Sequence, residues 1–318
     1  MNSVDAQSTV AASTDRARGV ALALGTAVIS GIAVFMNSYG VKRFASPSVY
    51  TTAKNLMAAL VLVGLASVLV SRRGSERRVR PTTRAEWAGL AAVAVIGGSV
   101  PFLLFFEGLA QATSTDAAFI HKTLVVWVAL LAVPLLKERV GPLHIAAIAV
   151  LLLGQADLGG GLRGFVAGRG EAMILGATLL WSVEVVIAKR LLRALSSMTV
   201  GLARMVCGSV VLVAWVIATG RWSQLAVLDG EAWAWALLTG VILAGYVTTW
   251  FAALARAQAV DVTAVLVFSA VITALLAATV EGDALAPHIT ALVLITAGTA
   301  LTIAAARRAS RIVVPVRS

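Results

Sequence analysis

The sequence predicts an all-α membrane protein with ten transmembrane helices in two inverted five-helix repeats. Three observations support this prediction. The 318 residues are 59% hydrophobic and 13% charged, with a mean hydropathy of +0.92, which is more apolar surface than a water-soluble globule can bury. Apolar windows of spanning length recur along the chain. Two stretches 145 positions apart also run in parallel, which indicates that one module is used twice.

The apolar windows set the number of helices. A bilayer core about 30 Å thick needs about 20 apolar residues in a helix that rises about 1.5 Å per residue. Ten windows are near that length: 20–41, 48–70, 86–109, 115–136, 142–159, 170–190, 198–219, 232–255, 261–281 and 287–306. The fifth, with 18 residues, is the shortest.

The repeat is clearest around the third and fourth windows of each half. Residues 105–110 (FFEGLA) precede Asp116, and residues 250–255 (WFAALA) precede Asp261. Earlier in the halves, Gly25 matches Gly176 at a spacing of 151, and Lys54 meets Arg204 if one gap is allowed. Because five is odd, the second half enters the membrane with the opposite orientation, which gives an inverted repeat.

A glycine-rich run near the midpoint divides the chain. Its letters satisfy G-x-G-x-x-G, but it follows an apolar helix and not a strand, so we interpret it as a linker. The predicted organisation is a disordered cytoplasmic tail at 1–19, a first repeat at 20–159, a linker at 160–169, a second repeat at 170–306 and a basic cytoplasmic tail at 307–318.

The net charge of +11 follows from topology. With the N-terminus inside, 18 of the 26 Lys and Arg residues fall on the inner side and 5 on the outer side, and Lys54, Lys122 and Arg204 fall within helices. Short cytoplasmic loops retain Lys and Arg, so both termini are predicted to be cytoplasmic in an inner (plasma) membrane. The expected partners are membrane lipid and a small-molecule substrate, and not nucleic acid.

The chemistry-bearing residues do not form an enzyme signature. The sequence has no HExxH motif, no G-x-S-x-G turn and no His or Cys at metal-binding spacing. No catalytic residue, metal site or cofactor is therefore predicted. The single cysteine, Cys207, excludes an intramolecular disulfide.

Polar groups inside the apolar windows are the candidate site residues. Glu184 and Arg204 are predicted at similar depth, either as a structural ion pair or as a gate in which Glu184 relays protons. Trp181 precedes Glu184 by three positions and should lie on the same helix face. His121 either faces a cavity or makes an interhelical hydrogen bond.

Three further charged residues have a simpler expected position near the membrane surfaces. Lys54 is expected to snorkel to the headgroups, and Lys122 to snorkel or to pair with Glu107. As the repeat mate of Lys54, Arg204 would place a second cation near the opposite mouth of a central cavity, which would suit anionic or zwitterionic solutes. Small polar and aromatic residues complete the predicted cavity: Asn37, Tyr246, Trp250 and Ser269.

The sequence resembles the EamA-like members of the drug/metabolite transporter superfamily over residues 20–306. The resemblance rests on the 108–118 segment with Asp116, on the closure of helix four at 135–140 (LLKERV), and on the basic residues Lys54 and Arg204. In the second half, Glu281-Gly282-Asp283 stands where Glu-Arg would be expected.

This resemblance implies a secondary transporter, and an exporter, of small organic solutes such as amino acids or related metabolites. Transport would proceed by alternating access around a central site lined by helices one, three, four, six, eight and nine. A channel, or a non-transporting membrane enzyme or assembly factor on the same scaffold, stays open as an alternative. The oligomeric state is also open, with a homodimer among the options.

Overall fold

The computed structural model describes residues 3–70, 80–112, 114–159 and 168–311, and within these ranges it contains helices and no strand. Nine of the described helical segments are long and apolar enough to cross a membrane. A shorter apolar helix, Pro142–Leu158, stands at the fifth window and completes a set of ten. The prediction of an all-α, multi-pass membrane protein is confirmed.

The helices are labelled α1 to α10, with a and b for the parts of an interrupted helix. Their bounds are α1 Ser3–Gly40, α2 Pro47–Val70, α3a Arg84–Ile96, α3b Val100–Leu109, α4a Ser114–Lys122, α4b Leu124–Leu136, α5 Pro142–Leu158, α6 Arg169–Leu191, α7 Ser197–Ala218, α8 Gly230–Arg256, α9a Ala259–Leu266, α9b Ser269–Val280 and α10 Ile289–Arg311. α7 contains a π-helical turn at Ala203–Cys207, and a short helix, Trp222–Ala226, precedes α8.

The N-terminal tail differs from its prediction. α1 begins at Ser3, so residues 3–19, expected to be disordered, are helical. Long-range pairing anchors the last turns of this tail, because Arg16 binds Asp261 and Asp15 lies 3.3 Å from Arg256. Most of the predicted linker, at 160–167, and the end of the basic tail, at 312–318, lie outside the described residues.

The two halves pack through crossed pairs of helices. α1 packs on α8 and α9b, and α6 packs on α3b and α4b. α5 packs on α10, where Gly154 meets Ile295 and Gly298 meets Leu151. Small residues at such contacts let helix backbones approach closely, which is how helices associate where lipid removes the hydrophobic drive. The centre of the bundle is therefore built from both halves.

Interruptions occur in α3, α4 and α9. α3 is interrupted at residues 97–99, α4 at Thr123 and α9 at residues 267–268. Positions 123 and 268 are 145 apart, which is the spacing between Asp116 and Asp261. α4 and α9 therefore break at the equivalent place in their halves, whereas α8 is continuous where its counterpart α3 breaks.

Candidate functional site

A buried ion pair joins α6 and α7 at the centre of the bundle. Arg204 Nε donates to Glu184 Oε1 at 2.7 Å, and Arg204 Nη2 donates to Glu184 Oε2 at 3.4 Å. The side chains are 5% and 3% exposed, respectively. The predicted contact between these two residues is thus present, in the forked geometry that an arginine and a carboxylate prefer. Arg204 lies in the π-helical turn of α7, a distortion that is frequent at functional sites.

The break in α3 makes room for this ion pair. A Cβ atom on Gly97 would lie 2.2 Å from Glu184 Cδ, and one on Gly98 would lie 2.0 Å from the backbone oxygen of Arg204. Any larger residue would have to displace the carboxylate or the backbone of α7. The glycine pair therefore sets the distance between α3 and the ion pair.

Polar groups satisfy the backbone at this break. The Ser99 hydroxyl donates to the carbonyl oxygens of Ala94 and Val95 at 3.1 and 3.0 Å. The Trp181 indole N–H donates to the carbonyl oxygen of Gly97 at 3.1 Å. Unpaired backbone groups are costly inside a membrane, so these bonds stabilise an irregular segment at depth.

Lys54 lies inside the protein and not at a membrane surface. It is 3% exposed, and its Nζ atom lies 4.6, 5.0 and 5.6 Å from the ring centroids of Phe106, Tyr50 and Phe102. Its hydrogen-bond partner is Asn37 Oδ1 at 3.5 Å, an atom that also accepts from the Tyr50 hydroxyl. The expectation that Lys54 snorkels is wrong, because the face of α2 that carries it is covered by these aromatic rings.

Phe102 brings the two cations together. Lys54 Nζ lies 5.6 Å and Arg204 Cζ 5.4 Å from the centroid of its ring. The Trp181 ring packs edge-on against the same ring at 5.4 Å. Lys54, Phe102, Trp181, Glu184 and Arg204 are called the central cluster below. The first half supplies Lys54 and Phe102, and the second half supplies the other three.

His121 extends the aromatic wall of the central cluster. Its ring lies 5.0 Å from the Trp181 ring and 5.2 Å from the Phe105 ring. Its Nδ1 atom is buried and has no hydrogen-bond partner among the described residues. His121 was predicted either to face a cavity or to make an interhelical hydrogen bond. Within the described part of the chain, no such bond is formed through Nδ1.

Lys122 links the breaks of α4 and α9. Its Nζ atom donates to the hydroxyl of Ser269 at 2.6 Å, and Ser269 is buried. Of the two alternatives for Lys122, the ion pair with Glu107 is wrong, because the Glu107 carboxylate accepts from Arg221 at 3.0 Å instead. Glu107 thus pairs with Arg221, 114 positions away in the sequence, and not with Lys122 across the α3–α4 turn.

Tyr246 and Trp250 stack on each other along α8. Their ring centroids are 5.8 Å apart, and the planes are inclined by 13°. Trp250 is buried, whereas Tyr246 is half-buried and within electrostatic range of Glu184 and Arg204. The structure therefore brings Tyr246 towards the central cluster and places Trp250 behind it in the packing.

Comparison with known proteins identifies the fold. The sequence profile of the EamA-like transporter family matches the chain twice, at residues 17–156 and 168–304. The chain belongs to the EamA-like transporter family. A solved crystal structure is similar in fold, with a TM-score of 0.72 and 19% identity over 92% of this chain and 98% of that one. No curated protein sequence matches this chain significantly.

In this EamA-like protein, buried charges hold one end of the bundle together. Asp261 is fully buried, accepts from Arg16 Nη2 at 2.7 Å and lies 3.1 Å from His144 Nε2. The Glu138 carboxylate accepts from the first two amides of α9a at 2.7 and 3.2 Å, a favourable position for a negative charge at a helix N-terminus. Arg16, Glu138, His144 and Asp261 are called the Asp261 cluster below.

The Glu138 carboxyl is a perturbed group of the Asp261 cluster. Burial raises the pKa of this carboxyl above its usual value, whereas the two amide donors and the nearby Lys189 ammonium act in the opposite direction. Lys189 also donates to the carbonyl oxygens of Leu254 and Ala257 at the end of α8. The family-like closure of helix four thus binds α9, which the sequence did not indicate.

The opposite end of the EamA-like bundle carries more exposed ion pairs. Arg221 binds Glu107, and these side chains are 34% and 28% exposed. Arg43 binds Glu231, and both of these side chains are more than half exposed. The ion pairs of the Asp261 cluster are thus buried, whereas those described at the other end are partly or largely exposed, as is the Asp15–Arg256 pair beside the Asp261 cluster.

Several residues of the site were not predicted from the sequence. Tyr50 and Phe106 line Lys54, and Gly97 and Gly98 admit the ion pair. One signal was available for Tyr50, since it precedes Lys54 by four positions and shares its helix face. Adjacent glycines within an apolar window are likewise a known cause of helix breaks.

Proposed function

We propose that this protein is a secondary transporter that exports a small organic solute, an amino acid or a related metabolite. Family membership supports transport, and one observation supports the position of the site: the central cluster combines charges from both halves. An ionised side chain at the centre of a membrane helix costs at least ~2.5 kcal/mol, so such groups mark pathways more often than packing. Substrate sites between repeats are the usual arrangement in such carriers.

Alternating access between two inverted five-helix repeats is the proposed mechanism. The positions of two repeat mates support the inversion. Asp261, at the start of α9, lies with Arg16 of α1, whereas Asp116, at the start of α4, follows the turn after Glu107, at the end of the exposed pairs. With the Lys and Arg distribution, we assign the Asp261 end to the cytoplasmic side of the plasma membrane.

The contrast between the two ends supports an outward-facing conformation. The Asp261 cluster ties α1, the α4–α5 turn and α9a together through buried charges. At the other end the Arg43–Glu231 pair contributes little, because solvent screens it, and the Arg221–Glu107 pair is only partly buried. Opening of the inner end would then require the Asp261 cluster to separate as the halves rock.

Counterflow in proteoliposomes tests the transport proposal. Vesicles that contain the purified protein and are preloaded with unlabelled amino acids should accumulate labelled amino acids with saturable kinetics. Export should appear as lower intracellular levels of the same solutes in cells that express the protein. Flux that never saturates and shows no counterflow would favour a channel.

Cysteine accessibility tests alternating access directly. In a Cys207→Ala background, Asn37→Cys and Ser269→Cys should react with impermeant thiol reagents from opposite sides in alternating conformations. Ser223→Cys, exposed in the short helix Trp222–Ala226 before α8, serves as a control whose labelling should not depend on substrate. Access that stays fixed to one side would favour a non-transporting scaffold.

Proton coupling through Glu184 has its own test. Glu184→Gln should abolish the response of transport to a pH gradient and leave counterflow intact, if the carboxylate relays protons. An unchanged response to the gradient would assign Glu184 a structural role in its ion pair with Arg204.

A further inference from the structure

Lys54 is a buried cation without a carboxylate partner among the described residues. Its surroundings are the aromatic rings of Tyr50, Phe102 and Phe106 and the side-chain oxygen of Asn37. Ring faces and an amide oxygen attract an ammonium group, but they carry no net charge. Buried charges in proteins are normally paired, so the environment of Lys54 is electrostatically incomplete.

Arg204, the cation nearest to Lys54 in the central cluster, shows how a buried charge at this place is neutralised. Arg204, on the other side of the Phe102 ring, is bound by both oxygens of Glu184. The central cluster therefore contains two cations and one carboxylate. A solute with one negative charge would balance it.

We propose that Lys54 binds the carboxylate of a monoanionic organic solute whose apolar or aromatic body packs against Phe102 and Phe106. This proposal rests on the proposed transport function and names the substrate class of the same site. The Tyr50 hydroxyl donates to Asn37 Oδ1 and so fixes the amide that orients the ammonium group. Lys54 is thereby held in place before the solute arrives, which lowers the entropic cost of binding.

The donors at this position suit a carboxylate better than a phosphate. A phosphate dianion is usually held by several donors, and by arginine forks in particular. Here the Arg204 fork is occupied by Glu184, and the Tyr50 hydroxyl is occupied by Asn37. Lys54 remains as a single point charge, which matches one carboxylate. An amine in the same place would be repelled by it.

Direct binding of three matched probes tests this assignment. The probes are phenylacetate, the neutral phenylacetamide and the cationic phenethylamine, at constant ionic strength with the full chain in detergent. We expect saturable binding of phenylacetate and at least about tenfold weaker binding of the other two, because each lacks the charge-assisted contact. Lys54→Met should weaken phenylacetate binding at least about tenfold, and Lys54→Arg should restore most of the affinity.

Two controls separate this assignment from a structural role. Lys42→Met removes an exposed lysine 12 positions earlier and should leave phenylacetate binding unchanged. Lys54→Met without ligand should melt at or above the wild-type temperature, because replacing an unpaired buried charge by an apolar side chain of similar length is neutral or stabilising. A folded Lys54→Met protein that binds phenylacetate like wild type overturns the proposal, as does a wild-type protein that binds none of the probes or does not distinguish them.

Counterflow on the same preparations distinguishes failure of the Lys54 site from failure of transport. If labelled amino acids exchange but phenylacetate neither binds nor competes, the carboxylate assignment of Lys54 fails and transport stands. If phenylacetate binds in a Lys54-dependent way but neither it nor amino acids exchange, transport fails and the binding site stands.

Discussion

Lys54 and Arg204 occupy matching places in the two halves and share the Phe102 ring, but among the described residues only Arg204 has a carboxylate partner. Glu184 binds Arg204 from α6. At the spacing of 151 that relates the first helices of the halves, the position of Glu184 corresponds to Ala33 in α1. One half therefore neutralises its cation internally, and the other leaves its cation for a partner from outside. Symmetry of shape thus coexists with asymmetry of charge.

Removal of Glu184 should have the largest effect on stability. Glu184→Ala leaves the Arg204 guanidinium buried without its carboxylate, and we expect a loss of about 3–5 kcal/mol in the free energy of unfolding. The double variant Glu184→Ala/Arg204→Met should lose much less. Chemical unfolding in mixed micelles measures both values. A single variant as stable as the double variant would show that the pair is not coupled.

A methyl group at the α3 break should have the next largest effect. Gly98→Ala places Cβ against the backbone oxygen of Arg204, which cannot rotate away, so we expect a loss of about 1–3 kcal/mol through overpacking. Gly64→Ala is the matched control, because nothing lies within 4 Å of its added Cβ atom. It should be neutral or slightly stabilising. Equal melting temperatures for the two variants would contradict a tight approach at Gly98.

A carboxylate placed in α1 should make the two halves alike. Ala33 lies one turn before Asn37, so the side chain of Ala33→Glu can approach Lys54 on the same helix face. We expect phenylacetate affinity to fall by about tenfold, since the new carboxylate competes for the ammonium group. Ala33→Gln has the same shape without the charge and should bind phenylacetate normally. Equal affinity in the two variants would mean that charge at Lys54 does not control binding.

Loss of the shared ring should give the smallest effect. Phe102→Leu removes cation–π contacts of about 0.5–1 kcal/mol to each cation, and Phe102→Tyr should retain them. In a double-mutant cycle with Lys54→Met, the unfolding free energies should not be additive, because the ring and the ammonium group interact. Strict additivity would show that the ring contributes only packing.

The sequence predicted the helices and one central contact for clear physical reasons. Hydropathy windows report spanning length, and counting residues from the helix ends placed Glu184 and Arg204 at one depth. The Lys54 environment could not be read in this way, because depth along a helix does not tell whether a side chain faces lipid or protein. An isolated lysine is expected to reach water, and only the packing of Phe102 and Phe106 over α2 prevents it.

The adjacent glycines are a local signal for the break of α3, but the breaks of α4 and α9 and the long-range pairs have no such signal in the sequence. The window that contains Gly97 and Gly98 has a mean hydropathy of 2.2, so hydropathy alone does not register the interruption. Arg16 and Asp261 are separated by 245 positions, and their contact depends on how α1 packs against α8 and α9. Asp261 was visible as the repeat mate of Asp116, but its partners were not.

The interruption shared by α4 and α9 also orders events in the history of this chain. An interruption found at equivalent positions of both halves, at Thr123 and at position 268, is most simply inherited from the single ancestral gene. The glycine break of α3 has no counterpart in α8, and Glu184 has none in α1. By the same reasoning these features diverged after the gene doubled. The interrupted helix is then the older feature, and the difference in pairing between Arg204 and Lys54 is the younger one.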